Sequence, residues 1–133
     1  MIEHQWETNG LLRRHVGSVT AADIKTSDTW LHADPRFRAV AYLIEDLRGC
    51  ADLIGVDAAG LWRSARAHAQ FLNWPDRFQH AWVARWSPPA LSGLAAAGME
   101  AAPRQVRTFR FIADARDWLS AECASSVEGG DRP

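Results

Sequence analysis

The chain predicts a single α/β domain built on a mixed sheet. Three stretches carry this expectation: a continuous apolar run over residues 40–44, an amphipathic segment over residues 57–72, and an Asn9-Gly10 pair between two strand-like segments. A short unbroken run of strand-favouring residues suits a strand covered on both faces, as in a parallel sheet flanked by helices. In the segment after it, Ala58, Leu61, Ala65, Ala69 and Leu72 recur at spacings of three and four, with Trp62 beside them. Arg63, Arg66 and Gln70 turn to the other side, so one stripe faces a core. Asp57 is placed to cap the helix, its carboxylate accepting from free N–H groups of the first turn. Strand, loop, helix and a later strand make a right-handed βαβ crossover.

Composition sets the class. The chain has 133 residues, 47% hydrophobic and 23% charged, which is the make-up of one globular domain with a core of its own. A net charge of −1 gives no global field to recruit nucleic acid or an acidic membrane. No apolar run approaches the roughly 20 residues that span a bilayer. The opening MIEHQWE lacks a signal-peptide apolar core, so a cytoplasmic protein is expected. Cys50 and Cys123 stand far apart in unlike contexts and are expected as reduced thiols.

Taken in order, residues 2–8 and 11–17 read as a hairpin around Asn9-Gly10, a pair that suits a two-residue type I′ turn. Ile2, His4 and Trp6 share one face of the first strand; Leu12, Arg14 and Val16 share one face of the second. Thr20 and Asp23 form a capping-box pattern, with Val19 and Ile24 as its hydrophobic staple. A helix follows over residues 21–31 and stops before Asp34-Pro35, because the residue before proline avoids helical angles. After the central unit, NWPDRF is a turn and residues 80–86 are a central strand. Ser87-Pro88 starts a short helix with Leu91, Leu94 and Ala95 inward, and Gly98 is its expected stop. Residues 105–109 form the last strand. Ile112, Ala115, Trp118 and Leu119 mark a closing helix, and the polar residues 123–133 form a frayed tail. The order is β-β-α-β-α-β-α-β-α, in one domain over residues 1–122.

That order, with the residues on it, resembles the SpoIIAA-like proteins, a branch of the STAS-type α/β fold that is compared with lipid-binding CRAL-TRIO domains. Three pieces carry the resemblance: GLLRRHVGSVTAADI, an opening hairpin followed by a capped helix; LIEDLRGCADLIGVDAAGLWRSARAHAQF, strand-loop-helix; and VRTFRFIADARDWL, a strand and closing helix. Anti-sigma-factor antagonists of this type carry Asp-Ser-Ser-Gly-Leu, with a phosphorylated serine at the helix start. Here the residues are Asp57-Ala58-Ala59-Gly60-Leu61, and neither alanine accepts a phosphate. At the end of the fourth strand, relatives often place a Val-Thr-Asp-like turn; this chain has Val83-Ala84-Arg85-Trp86.

No catalytic constellation is read from the residues. The histidines, His4, His15, His32, His68 and His80, include no i,i+4 pair and no cysteine at ligand spacing, so no metal site is expected. They are read as surface or hydrogen-bonded histidines. Glu45 and Asp46 are adjacent on a strand and point to opposite faces, so they cannot work as a facing acid/base pair. One is expected to cap a loop and the other to be solvated. Cys50 reads as an ordinary, partly buried thiol. No Ser/His/Asp order, glycine-rich phosphate loop or nucleotide fingerprint is present, and no cofactor is expected.

The loop over residues 48–56 leaves the carboxyl end of a central strand, where open α/β sheets bind ligands. It carries Leu53 and Ile54, and the Arg85-Trp86 turn leaves the same edge. The candidate ligand or partner surface is therefore Leu53, Ile54, Trp62 and Trp86, with Arg63 and Arg85 as a polar rim. The alternative is that Leu53, Ile54 and Trp62 plug the end of the core. The resemblance implies a non-enzymatic module that binds a protein partner or a second copy of itself. The CRAL-TRIO comparison implies an alternative, a carrier of a small apolar ligand or lipid.

Overall fold

A five-stranded sheet in the order β1-β2-β4-β6-β7 forms the frame, and a two-stranded β3-β5 ribbon adjoins it. The computed structural model describes residues 1–72, 78–86, 88–101 and 105–120. The elements are β1 (Ile2–Trp6), β2 (Gly10–His15), β3 (Gly17–Thr20), α1 (Ala21–Ala33), a 3₁₀ turn (Pro35–Ala39), β4 (Tyr42–Asp46), β5 (Cys50–Ile54), α2 (Ala58–Leu72), β6 (Gln79–Val83), α3 (Pro89–Ala101), β7 (Val106–Phe109) and α4 (residues 112–120). β1 runs antiparallel to β2, while β2, β4, β6 and β7 are mutually parallel. This is the expected α/β domain with a mixed sheet. The turn at residues 73–78, the cap at Ser87 and the tail with Cys123 fall wholly or partly outside the described residues.

The pleat sorts the core into layers. Leu12, Ile44, Ala81 and Val83 face α4, where they meet Ala115, Trp118 and Leu119. Leu11, Leu43 and Phe78, on the opposite side, pack with Leu31 of α1, Phe37 and Leu72 of α2. Farther along that side, Leu47, Trp82, Ala84 and Val106 pack with Ile24, Leu61, Ala65, Leu91 and Leu94. α4 is tied back to the first hairpin by Arg116, whose two guanidinium nitrogens donate to Glu7 at 3.0 and 2.7 Å.

Local chemistry explains the boundaries. Thr20 Oγ1 accepts from Asp23 N, and Asp23 Oδ2 accepts from Thr20 N, closing the capping box of α1. Val19 and Ile24 are both buried, as a staple requires. α1 runs two residues past its expected end and stops at Asp34, extended at φ −88° before Pro35. Asp57 Oδ1 accepts from Gly60 N at 2.7 Å at the start of α2.

Three expectations need correction. The hairpin does not turn on Asn9-Gly10: Glu7 N donates to Gly10 O, and Trp6 pairs with Leu11. Among the described glycines positive φ belongs to Gly17 and Gly55, not Gly10. Gly10 is a glycine for another reason: a Cβ there would overlap the Tyr42 ring. The stretch over residues 48–56 is not a simple loop, since Cys50–Ile54 is β5 and pairs in parallel with β3. α3 continues through Gly98 to Ala101, because its end is not set by that residue.

Candidate functional site

Two places gather polar chemistry, one inside the sheet and one at its edge. The interior one starts from Glu45, which alternation puts on the α1/α2 side of β4 rather than in water. Its side chain is fully buried. Arg13, its direct partner across β2-β4, donates through Nε to Oε1 and through Nη2 to Oε2, both at 2.5 Å. His15 and His80 each place Nε2 3.0 Å from one Glu45 oxygen. Arg13 Nη1 donates to Asp28 Oδ1 at 2.6 Å and to Ser27 Oγ at 3.0 Å. Ser64 donates to the other Asp28 oxygen at 2.7 Å. His68 Nε2 lies 3.1 Å from Asp28 Oδ1, in a contact too bent for a full hydrogen bond, and its Nδ1 meets His32 Nε2 at 2.9 Å.

Burial dominates the titration of these groups, and charge then reverses or reinforces it. Burial alone would raise Glu45, but Arg13 and the histidine contacts hold its carboxyl well below the usual carboxylate range. Asp28 is likewise held down against its burial, by His68, Arg13 and Ser64. Arg13 is raised, its burial outweighed by Glu45 and Asp28. At His68 the balance goes the other way: burial, with Arg13 and His80, outweighs the pull of Asp28 and pushes it down to about 4, so it is neutral at pH 7. The network is thus a fixed ion pair ringed by imidazoles. Glu45 was expected to cap or to be solvated, and it does neither. Asp46 makes the cap, its Oδ1 accepting from Arg48 N at 3.0 Å.

The edge site lies beyond the carboxyl ends of β4, β6 and β7. Arg85 and Trp86 follow β6 and line an open groove of about 620 Å³ with Leu91, Ser92, Phe109 and Arg110. A second groove of about 510 Å³ adjoins it, lined by Arg48, Arg85, Arg110, Phe111, Ile112 and Ala113. Arg48 is held by Asp46 through Nε and Nη2, at 2.9 and 2.8 Å. Phe111 is 61% exposed, between β7 and α4.

Of the residues singled out from sequence, the structure brings Arg85 and Trp86 together in one groove. Leu53 and Ile54 sit on β5: Leu53 packs against the core and Ile54 is 49% exposed, and neither lines that groove. Trp62 packs on the same core cluster but borders a separate pocket of about 30 Å³ with Phe78, His80 and Val106. Arg63 is exposed on α2 and belongs to neither groove. Arg48, Arg110 and Phe111 were missed, although each follows within two residues of a strand end that was itself legible.

No family model matches the chain, and no curated protein matches its sequence. Its fold is matched by solved structures. The anti-sigma factor antagonist SpoIIAA in its unphosphorylated form aligns with a TM-score of 0.57 at 11% identity, over 90% of this chain and 98% of that one. The Bacillus cell fate determinant SpoIIAA in its phosphorylated form aligns with the same TM-score at 9% identity, over 88% and 97%. A DUF3478-family protein with a SpoIIAA-like fold from Shewanella loihica aligns at 0.50 and 16% identity, over 90% and 92%. The chain has a SpoIIAA-like, STAS-type fold. No described helix is long and apolar enough to cross a membrane.

Proposed function

We propose that this protein is a non-enzymatic regulatory module that offers the carboxyl edge of its parallel strands to a protein partner. The observation that supports it is the pair of adjoining grooves at that edge, where Trp86 is half-buried and Phe111 is exposed beside arginines. Aromatic residues with arginine are the usual anchors of protein interfaces. A structure sharing the fold is named an anti-sigma factor antagonist, an activity exerted on another protein, and that mode is carried over here as part of the proposal. The phosphoserine switch is not carried over. Position 58 is alanine, and a Cβ on Gly93 of α3 would come within 2.5 Å of the Ala58 Cβ, so the two helices meet there. The pocket beside Trp62 does not favour the carrier reading, since it has room for about one water molecule.

The test places a photo-crosslinking benzoylphenylalanine at position 111, and at position 30 on α1 as a control, in cells producing the protein. A discrete adduct from position 111 that is lost on Trp86→Ala, and is absent from position 30, is expected. An adduct of twice the chain's mass names a second copy as the partner. No adduct at position 111, or the same adducts from both positions, overturns the proposal. Incubation with an anti-sigma-type kinase and ATP is expected to leave residues 56–64 unmodified by peptide mapping.

A further inference from the structure

The edge grooves carry a charge pattern that narrows what docks there. β4, β6 and β7 are consecutive in the sheet, and Asp46, Val83 and Phe109 are register partners. Arg48 and Arg85 each lie two residues beyond those partners, and Arg110 one residue beyond. Neighbouring strands are about 4.8 Å apart, so the three arginines stand in a row about 10 Å long. All three line one groove. Among the described residues the only carboxylate bonded to any of them is Asp46, which takes Nε and Nη2 of Arg48 and leaves Nη1. Arg85 and Arg110 are exposed and make no ion pair or hydrogen bond among the described residues. Asp114, exposed on α4, is outside the lining. Three guanidinium groups against one carboxylate leave a local excess of two positive charges, in a chain whose net charge is −1. Like charges on adjacent strands repel, and an anionic occupant relieves that repulsion.

The row also selects the form of the anion. In an extended peptide, side chains on one face repeat at about 6.8 Å, so two same-face carboxylates cover the span from Arg48 to Arg110. One phosphate group would meet only part of it. Each guanidinium fork suits a carboxylate bidentately. The apolar neighbours Trp86, Phe111 and Ile112 border the same grooves, so an apolar side chain beside the carboxylates finds contact. We propose that Arg48, Arg85 and Arg110 form a receptor for an acidic, extended segment of a protein partner, two or more carboxylates with an adjoining apolar residue. This rests on the docking role proposed above and specifies its partner's chemistry.

The test measures fluorescence polarisation of a labelled, end-blocked peptide Asp-Glu-Phe-Asp-Glu with the full chain, beside its counterpart Asn-Gln-Phe-Asn-Gln. The acidic peptide is expected to bind at least about ten-fold more tightly than the amide, and to weaken as salt rises. Arg85→Ala/Arg110→Ala should lose about ten-fold or more in affinity at an unchanged melting temperature, while Arg66→Ala on α2 binds like the parent. The charge-reversed Arg85→Glu/Arg110→Glu should instead prefer Lys-Arg-Phe-Lys-Arg. Equal binding of the acidic and amide peptides, or undiminished binding by the alanine pair, overturns the proposal. So does displacement of the peptide by inorganic phosphate at equal concentration, or tighter arginine-dependent binding to phosphatidylglycerol vesicles. If the position-111 adduct forms but the acidic peptide neither binds nor blocks it, the docking role stands and the acidic-segment receptor falls.

Discussion

Arg13 and Glu45 illustrate how much a single residue's neighbours matter. Arg13→Met would leave the Glu45 carboxylate buried without its guanidinium partner, and a buried charge stripped of its partner costs about 3–5 kcal/mol. A denaturant midpoint within error of the parent's would show that the pair is not needed. Arg14, next in sequence but exposed, is expected to tolerate alanine within about 0.5 kcal/mol in the same assay. This contrast was only half legible. Alternation along β2 separates Arg13 from Arg14, yet it does not say which of the two faces is dry. The partner that keeps Arg13 dry is 32 residues away, and Asp28 and the imidazoles come from other elements, so no local pattern announced it. His68 was hidden in the same way, occupying a stripe position on α2 where the apolar spacing pointed to Ala69.

At the scale of elements, what rests on local chemistry was readable and what rests on distant pairing was not. The cap of α1, its staple and the cap of α2 are contacts within five residues, and all three formed where the sequence placed them. β3 and β5 are short and partly exposed, and they exist because they pair with each other, so neither carried a strand signal of its own. The closing helix was legible from its apolar face. Trp118 is 8% exposed and its ring lies 5.5 Å from that of Phe109. Trp118→Ala should therefore cost about 3–5 kcal/mol by chemical denaturation. The α2–α3 crossing makes the opposite demand. Gly93→Ala adds one methyl where Ala58 already stands, and overpacking of this kind costs about 1–3 kcal/mol. A thermal midpoint equal to or above the parent's would show that the helices separate freely.

For the whole molecule, the buried network turns acidity into instability. An unfolded histidine takes a proton near pH 6.5, whereas His68 in the folded chain resists it to about pH 4. Its neutral form therefore contributes fully above pH 6.5, and that contribution is lost as pH falls toward 4. Over about 2.5 pH units the loss is about 3 kcal/mol. Glu45 and Asp28, held below the carboxylate range, contribute above their unfolded values and lose that contribution at still lower pH. Urea midpoints should thus fall in two stages on acidification, and His68→Phe should shrink the first stage, to which His4 and His32, also lowered by burial, contribute the rest, while lowering stability at neutral pH. A parent whose midpoint is flat from pH 7 to 5 would contradict this. The same ion pair bears on how the sheet is assembled in time. Arg13 stands directly opposite Glu45 in the β2-β4 ladder, and sliding β2 by two residues would set it against Leu43 or Leu47. A slide by one would turn every side chain to the wrong layer. A slide by two keeps each side chain in its layer, but it separates the charge pair and sets Leu11 against Ala41 or Glu45 instead of Leu43. Misaligned sheets are thereby short-lived during refolding, and Arg13→Met/Glu45→Met is expected to refold with added slow phases where the parent shows a single exponential. The core's most polar contact thus proofreads its most apolar one.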